Sequence, residues 1–226
     1  MTVRRPAERQ NEQYRGSDDH RAPHGGLLIA ASFVLLGGRG AKVLEQYPRA
    51  RKPSSCGTHG LIETKRLRLR RLSPADEPDL IALDSDPDVM RYVGSPAGVK
   101  SPAVTLERVR QRIATDHGPL GFWRIEARTD GAFYGLGALI PMPTGADVEL
   151  AYRLVRRAWG QGIATEAGTA LVDYAFRALG LPRVVAVTYP ENGTSRRVLT
   201  KLGFTAQGER DYKGAQTVFY VLPRPG

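Results

Sequence analysis

The stretch from Val148 to Ala167 constrains this chain more than any other. It begins as Val148-Glu-Leu-Ala-Tyr-Arg-Leu-Val155, alternating as a strand does. It then passes a basic turn, Arg156-Arg-Ala-Trp-Gly-Gln-Gly162, and continues from Ile163 as a helix-forming run. Strand, glycine turn and helix in that order build an anion cradle. Amides in the turn and in the first helical turn have no partner within the helix. The helix dipole makes the same spot electropositive, and a pyrophosphate fits there. Gly160 and Gly162 let the main chain approach a bulky anion because no Cβ intervenes. Arg156 and Arg157 add full charges beside the amides. The glycines alone are equally consistent with a plain strand-to-helix turn.

With 226 residues the chain holds one large domain, or a medium domain with an extension. The formal charge of +10 divides evenly at residue 58, so the longer C-terminal part is only mildly basic. That suits an anionic cofactor. No compact Lys/Arg stripe with interleaved aromatics is present, and nucleic acid is not expected as a partner. Lys65-Arg-Leu-Arg-Leu-Arg-Arg71 alternates charge with leucine, as a strand with one wet face does. The single cysteine, Cys56, precludes an intramolecular disulfide and points to a reducing cytoplasm. His20, His24, His59 and His117 lack ligand spacing, so no metal is expected.

Residues 1–24 are polar and Arg-rich and read as disordered. Residues 25–38 carry no charge and include the apolar run Leu27–Leu36. A membrane span needs about 20 apolar residues, so a membrane is not expected as a partner. The run resembles the apolar part of a secretion signal, but Gly-Arg-Gly-Ala-Lys follows it. Three readings stand: a weak anchor, an accessory interaction segment, or translated upstream sequence with the functional start near Leu61, which is favoured. Residues 48–58 read as a linker. The expected division is therefore a basic, disordered extension over 1–58 and a folded domain over 59–226.

Within the domain, strands are expected at 66–72, 121–128, 134–141, 147–155, 183–189, 204–210 and 217–222. Helices are expected at 73–84, 86–92, 103–116, 163–179 and 194–202. Hairpin-linked strands mixed with helical crossovers predict an α/β (α+β) mixed sheet covered on both faces.

Two ordered blocks carry a family resemblance. Arg157-x-x-Gly160-x-Gly162-x-Ala164 resembles the acyl-CoA signature of the GNAT N-acetyltransferases. Downstream, Asn192-Gly-Thr-Ser195 through Leu202-Gly203-Phe204 resembles that family's second block. The wording Trp159-Gly-Gln-Gly-Ile-Ala-Thr-Glu-Ala167 is most similar to the branch that acetylates ribosomal-protein N-termini. The resemblance spans roughly residues 61–223. It implies the acyl-CoA N-acyltransferase fold, in which two central strands splay and the pantetheine arm of acetyl-CoA lies between them as a missing strand. It also implies direct attack of an amine on the thioester in a ternary complex, with acetyl-CoA as co-substrate. The amine would be a protein N-terminus, ribosomal or other, or a small molecule. Whether the protein is a monomer or a homodimer stays open. A non-catalytic acyl-CoA-binding or sensor module is the alternative.

By that resemblance, Leu154 and Val155 would offer backbone partners to the arm. Arg156, Arg157, Trp159, Gly160, Gln161, Gly162, Ile163, Ala164 and Thr165 would form the cradle. Asn192, Ser195 and Arg196, with Arg197, would contact the cofactor from the second block. An amine must be neutral to attack, so a base is needed. Glu149, on the strand before the cradle, is the candidate; a salt-bridged strand carboxylate, paired with Arg153, is its bland alternative. The leaving thiolate needs a donor. Many family members place a Tyr four residues after the serine of the second block, but here that position is Leu199. Ser195 is the nearest substitute and Tyr212 a weaker one. Asn192 and Ser195 read equally well as helix-start residues. Phe122 and Trp123 read as core residues in preference to lining an acceptor pocket.

Overall fold

The computed structural model describes residues 60–94, 97–115, 118–143 and 147–226. The readings of the extension, its apolar run and the linker lie outside the described residues. Eight strands form one sheet: β1 (Ile62–Glu63), β2 (Leu67–Arg71), β3 (Gly121–Ala127), β4 (Phe133–Pro141), β5 (Val148–Leu154), β6 (Arg183–Thr188), β7 (Thr205–Tyr212) and β8 (Ala215–Pro223). Their order is β1-β2-β3-β4-β5-β6-β8-β7, and only β5–β6 is parallel. The helices are α1 (Glu77–Ser85), α2 (Pro87–Met90), α3 (Pro102–Ala114), α4 (Ile163–Asp173) and α5 (Gly193–Lys201). The expected mixed sheet with helices on both faces is what forms.

Strand alternation sorts the side chains of β5 onto two cores. Val148, Leu150, Tyr152 and Leu154 join Ile163, Ala167 and Leu171 of α4 and Val198 and Leu199 of α5. Ala151, on the opposite face, joins Leu80 and Leu83 of α1, Val89 of α2 and Val109 of α3. Glu149 and Arg153 share the face of Ala151. Trp123 is fully buried in the first core and Phe122 is buried in the second, so neither stands free to line an acceptor pocket.

Several expectations need correction. β1 is two residues long, too short to leave a periodic signature. The helix expected over 73–84 is a 3-10 turn, Pro74–Asp76, followed by α1. Pro78, in the first turn of α1, supplies no amide to a continuous ladder. Buried Asp76 is drawn to Arg70, at 2.7 Å, and accepts from the Ser73 amide. The helix expected to reach 179 stops at Asp173, and its last turn widens to a π-turn, Tyr174–Ala178. There Tyr174 donates to the Pro119 carbonyl and meets Trp123 edge-on. Gly180 (φ 67°) then closes the helix, with the Leu181 amide bonded back to Ala175. The final hairpin is longer than its alternation suggests. It closes through the two-residue turn Lys213–Gly214, both at positive φ, so Tyr212 lies at its tip.

Candidate active site

β5 and β6 share a single register pair, Glu149↔Val185, among the described residues. Beyond it the two parallel strands run on to Leu154 and Thr188 without further pairing, which is the splay. The opening therefore begins at the strand residue that carries the acid. The Val155 amide donates to Tyr134 of the β4 side, and its carbonyl accepts from Ala158. Val155 thus does not offer the slot its main chain, contrary to expectation, because alternation turns that residue the other way. The same alternation turns the main-chain groups of Tyr152 and Leu154 toward β6. The Leu154 carbonyl accepts from the Trp159 indole at 2.9 Å, which pins the turn to the end of β5.

The cradle follows directly. Gly160 and Gly162 have φ of 74° and 76°, where a side chain is strained. Gly162 is the N-cap of α4. The first intrahelical bond runs from the Glu166 amide to the Gly162 carbonyl, leaving the Ile163, Ala164 and Thr165 amides outside the ladder. A Cβ at Gly160 would meet nothing within 4 Å, so the main chain is open to a bulky neighbour. Amides at a helix start beside an open glycine turn are the donor set a diphosphate requires. The arginines are less direct than their sequence suggests. Arg156 reaches Asp86 and Asp88, both at 3.0 Å, which compensates its charge. Arg157 donates to the Phe133 carbonyl. Gln161 folds back onto the Arg157 carbonyl. The sequence reading missed Arg66, whose guanidinium binds the Gln161 carbonyl and Glu166. Thr64 also donates to Glu166, so the β1–β2 loop is fastened to the start of α4. The Arg-rich alternation had marked Arg66 only as a wet strand residue.

Glu149 is fully buried. Its Oε2 accepts from the Tyr212 hydroxyl at 3.3 Å, and its Oε1 has no hydrogen-bond partner among the described residues. Burial pushes this carboxyl up to about 8, while the nearby Lys213 charge and the Tyr212 hydrogen bond pull the other way. The Arg153 alternative is overturned: Arg153 pairs with buried Asp84 at 2.8 Å, which also holds Arg112. Lys213, the one non-glycine residue at positive φ among those described, was missed because nothing in the sequence shows it facing Glu149. Its proton is held less tightly than usual, through partial burial.

In the second block, Asn192 caps α5 by accepting the Ser195 amide at 3.1 Å. Ser195 is fully buried, and its Oγ lies 3.5 Å from the Tyr152 hydroxyl, a contact the sequence did not announce. Leu199 is packed in the core. Arg196 binds the Tyr220 hydroxyl and the Pro190 carbonyl, and Arg197 binds Thr194. Among the described residues no group of three His, Cys, Asp or Glu is placed to hold a metal, and no helix is long and apolar enough to cross a membrane.

A mixed sheet opened at one parallel pair, with a helix N-terminus beside the opening, defines an acyl-CoA N-acyltransferase. Residues 66–205 match the acetyltransferase (GNAT) domain family, and the chain belongs to it as an acetyl-CoA-dependent acyltransferase. It is 31% identical to an uncharacterized N-acetyltransferase, YoaA, of Bacillus subtilis over 150 residues, covering 66% of this chain and 84% of that one. It is 32% identical over 177 residues to the FsC-acetyl coenzyme A-N(2)-transacetylase of Aspergillus fumigatus, covering 73% and 71%. Its fold is similar to RimL, a ribosomal L7/L12 alpha-N-protein acetyltransferase solved with coenzyme A. There the TM-score is 0.61 at 20% identity, over 73% of this chain and 98% of that one.

Proposed function

We propose that the chain transfers acetyl from acetyl-CoA to a primary amine by direct attack in a ternary complex, with Glu149 as the base. One observation carries this reading: among the described residues β5 and β6 pair at Glu149↔Val185 alone, so the slot has its apex at a buried carboxyl with one oxygen that no described residue bonds. The cradle amides hold the diphosphate and set the thioester end toward that apex. Proximity supplies much of the rate, and the carboxylate takes the amine proton.

The base supports an α-amine acceptor. A carboxyl raised by burial takes a proton with less uphill cost, and that cost is smaller from an α-amino group, near about 8, than from a lysine-like amine near about 10.4. The RimL likeness points the same way, toward a protein N-terminus, and a small-molecule α-amine is the second acceptor class. The lone cysteine and the acetyl-CoA requirement support a cytoplasmic setting.

The test is thiol release from acetyl-CoA with a panel of N-terminal peptides and alkylamines. Faster turnover of α-amines, lost in Glu149→Gln with acetyl-CoA binding retained, is the expected result. Binding without release for every amine would instead favour a sensor module.

A further inference from the structure

Leu199 cannot supply the hydroxyl that many relatives carry at that helix position; it is apolar and fully buried. Yet a phenol does reach the same helix from the other side of the opening. Tyr152 sits on β5, its main chain turned to the slot and its ring inserted toward α5. Its hydroxyl lies 3.5 Å from Ser195 Oγ, and both residues are buried. The contact joins the strand before the opening to the first turn of the helix after it. Ser195 is itself fixed, because its amide donates to Asn192.

We infer that Tyr152 is a positioning residue for thiolate departure, donating its proton to Ser195 Oγ and so turning the Ser195 hydroxyl toward the slot. This rests on reading the β5–β6 opening as the acetyl-CoA slot. A hydroxyl has one proton and two lone pairs, and a buried phenol needs an acceptor. Burial raises the Tyr152 proton affinity, so the phenol keeps its proton at every working pH. Ser195 Oγ accepts that proton and has its own left to give. When the amine forms its C–N bond, the C–S bond breaks and the sulfur keeps the electron pair. The amine proton goes to Glu149, and the Ser195 hydroxyl donates a hydrogen bond to the departing thiolate.

Two measurements on the full chain test this. The first is a double-mutant cycle on kcat with Tyr152→Phe, Ser195→Ala and both. Tyr152→Phe and Ser195→Ala should each slow turnover about tenfold, with the pair no slower than Ser195→Ala alone. Additive losses, or an unchanged kcat in Tyr152→Phe, would overturn the inference. Ser195→Thr, which keeps the hydroxyl, should restore most of the rate.

The second is the affinity of CoA relative to acetyl-CoA as pH rises through the thiol range, near about 8.5. CoA should gain on acetyl-CoA in the native chain and not in either single variant. An identical gain in Tyr152→Phe would refute the role even if that variant were slow. Absence of acetyl-CoA binding in the native chain would remove the slot reading itself, whereas equal CoA and acetyl-CoA profiles would remove only the hydroxyl pair.

Discussion

In the proposed reaction the proton chemistry centres on one residue, Glu149. A buried carboxyl near 8 is mostly protonated at neutral pH, so its base form fills only on the alkaline side. With an acceptor of low basicity, neutral throughout the range, turnover should rise through about pH 8 and then level, and Glu149→Gln should fall at least about 100-fold with no such rise. The same shift has a stability consequence. Folding favours the neutral form here, so the stabilisation is complete below the ordinary carboxyl range and is lost as pH rises toward 8. Thermal melts should therefore show the native chain losing more stability than Glu149→Gln between about pH 5 and pH 8. Its place on the strand before the cradle was legible in the sequence, and the proposed base role starts from there. Its burial and its freedom from Arg153 were not, because they depend on Asp84 arriving from α1, far away in sequence.

At the scale of elements, the strand–turn–helix unit around the cradle was readable because local rules fix it: alternation, two glycines and a helical run. The hairpin β7–β8 was not. Its two-residue turn needs positive φ at both positions, which Lys213 does not signal, and only the sheet register brings Tyr212 and Lys213 over Glu149. Lys213→Asn should relieve the left-handed strain and stabilise the fold by roughly 1 kcal/mol, read as a higher melting temperature. Because the lysine charge lowers the Glu149 pKa, the same variant should move the rate midpoint to higher pH. A midpoint that stays put or moves down would contradict this. On β4, Gly135 (φ 152°) lies so close to β5 that a Cβ would strike the Arg153 carbonyl. Gly135→Ala should cost about 3 kcal/mol in chemical denaturation, since backbone cannot move aside as a side chain can.

For the whole molecule, composition and element order were enough to anticipate a mixed sheet with helices on both faces. The opening depends on what composition does not encode: where β5 and β6 stop pairing. Once they part at Glu149, the rest follows from position. The helix start lies beside the slot, the acid at its apex and the Tyr152–Ser195 contact across it. In the proposed complex, main-chain amides at the start of α4 hold the diphosphate of acetyl-CoA. Calorimetric titration of acetyl-CoA into the native chain and into Gly160→Asp and Gly162→Asp tests it most directly. Saturable binding, abolished by either aspartate in a protein that still melts cooperatively, is the expected result; binding unchanged in both variants, or no heat in the native chain, would rule out the amide cradle.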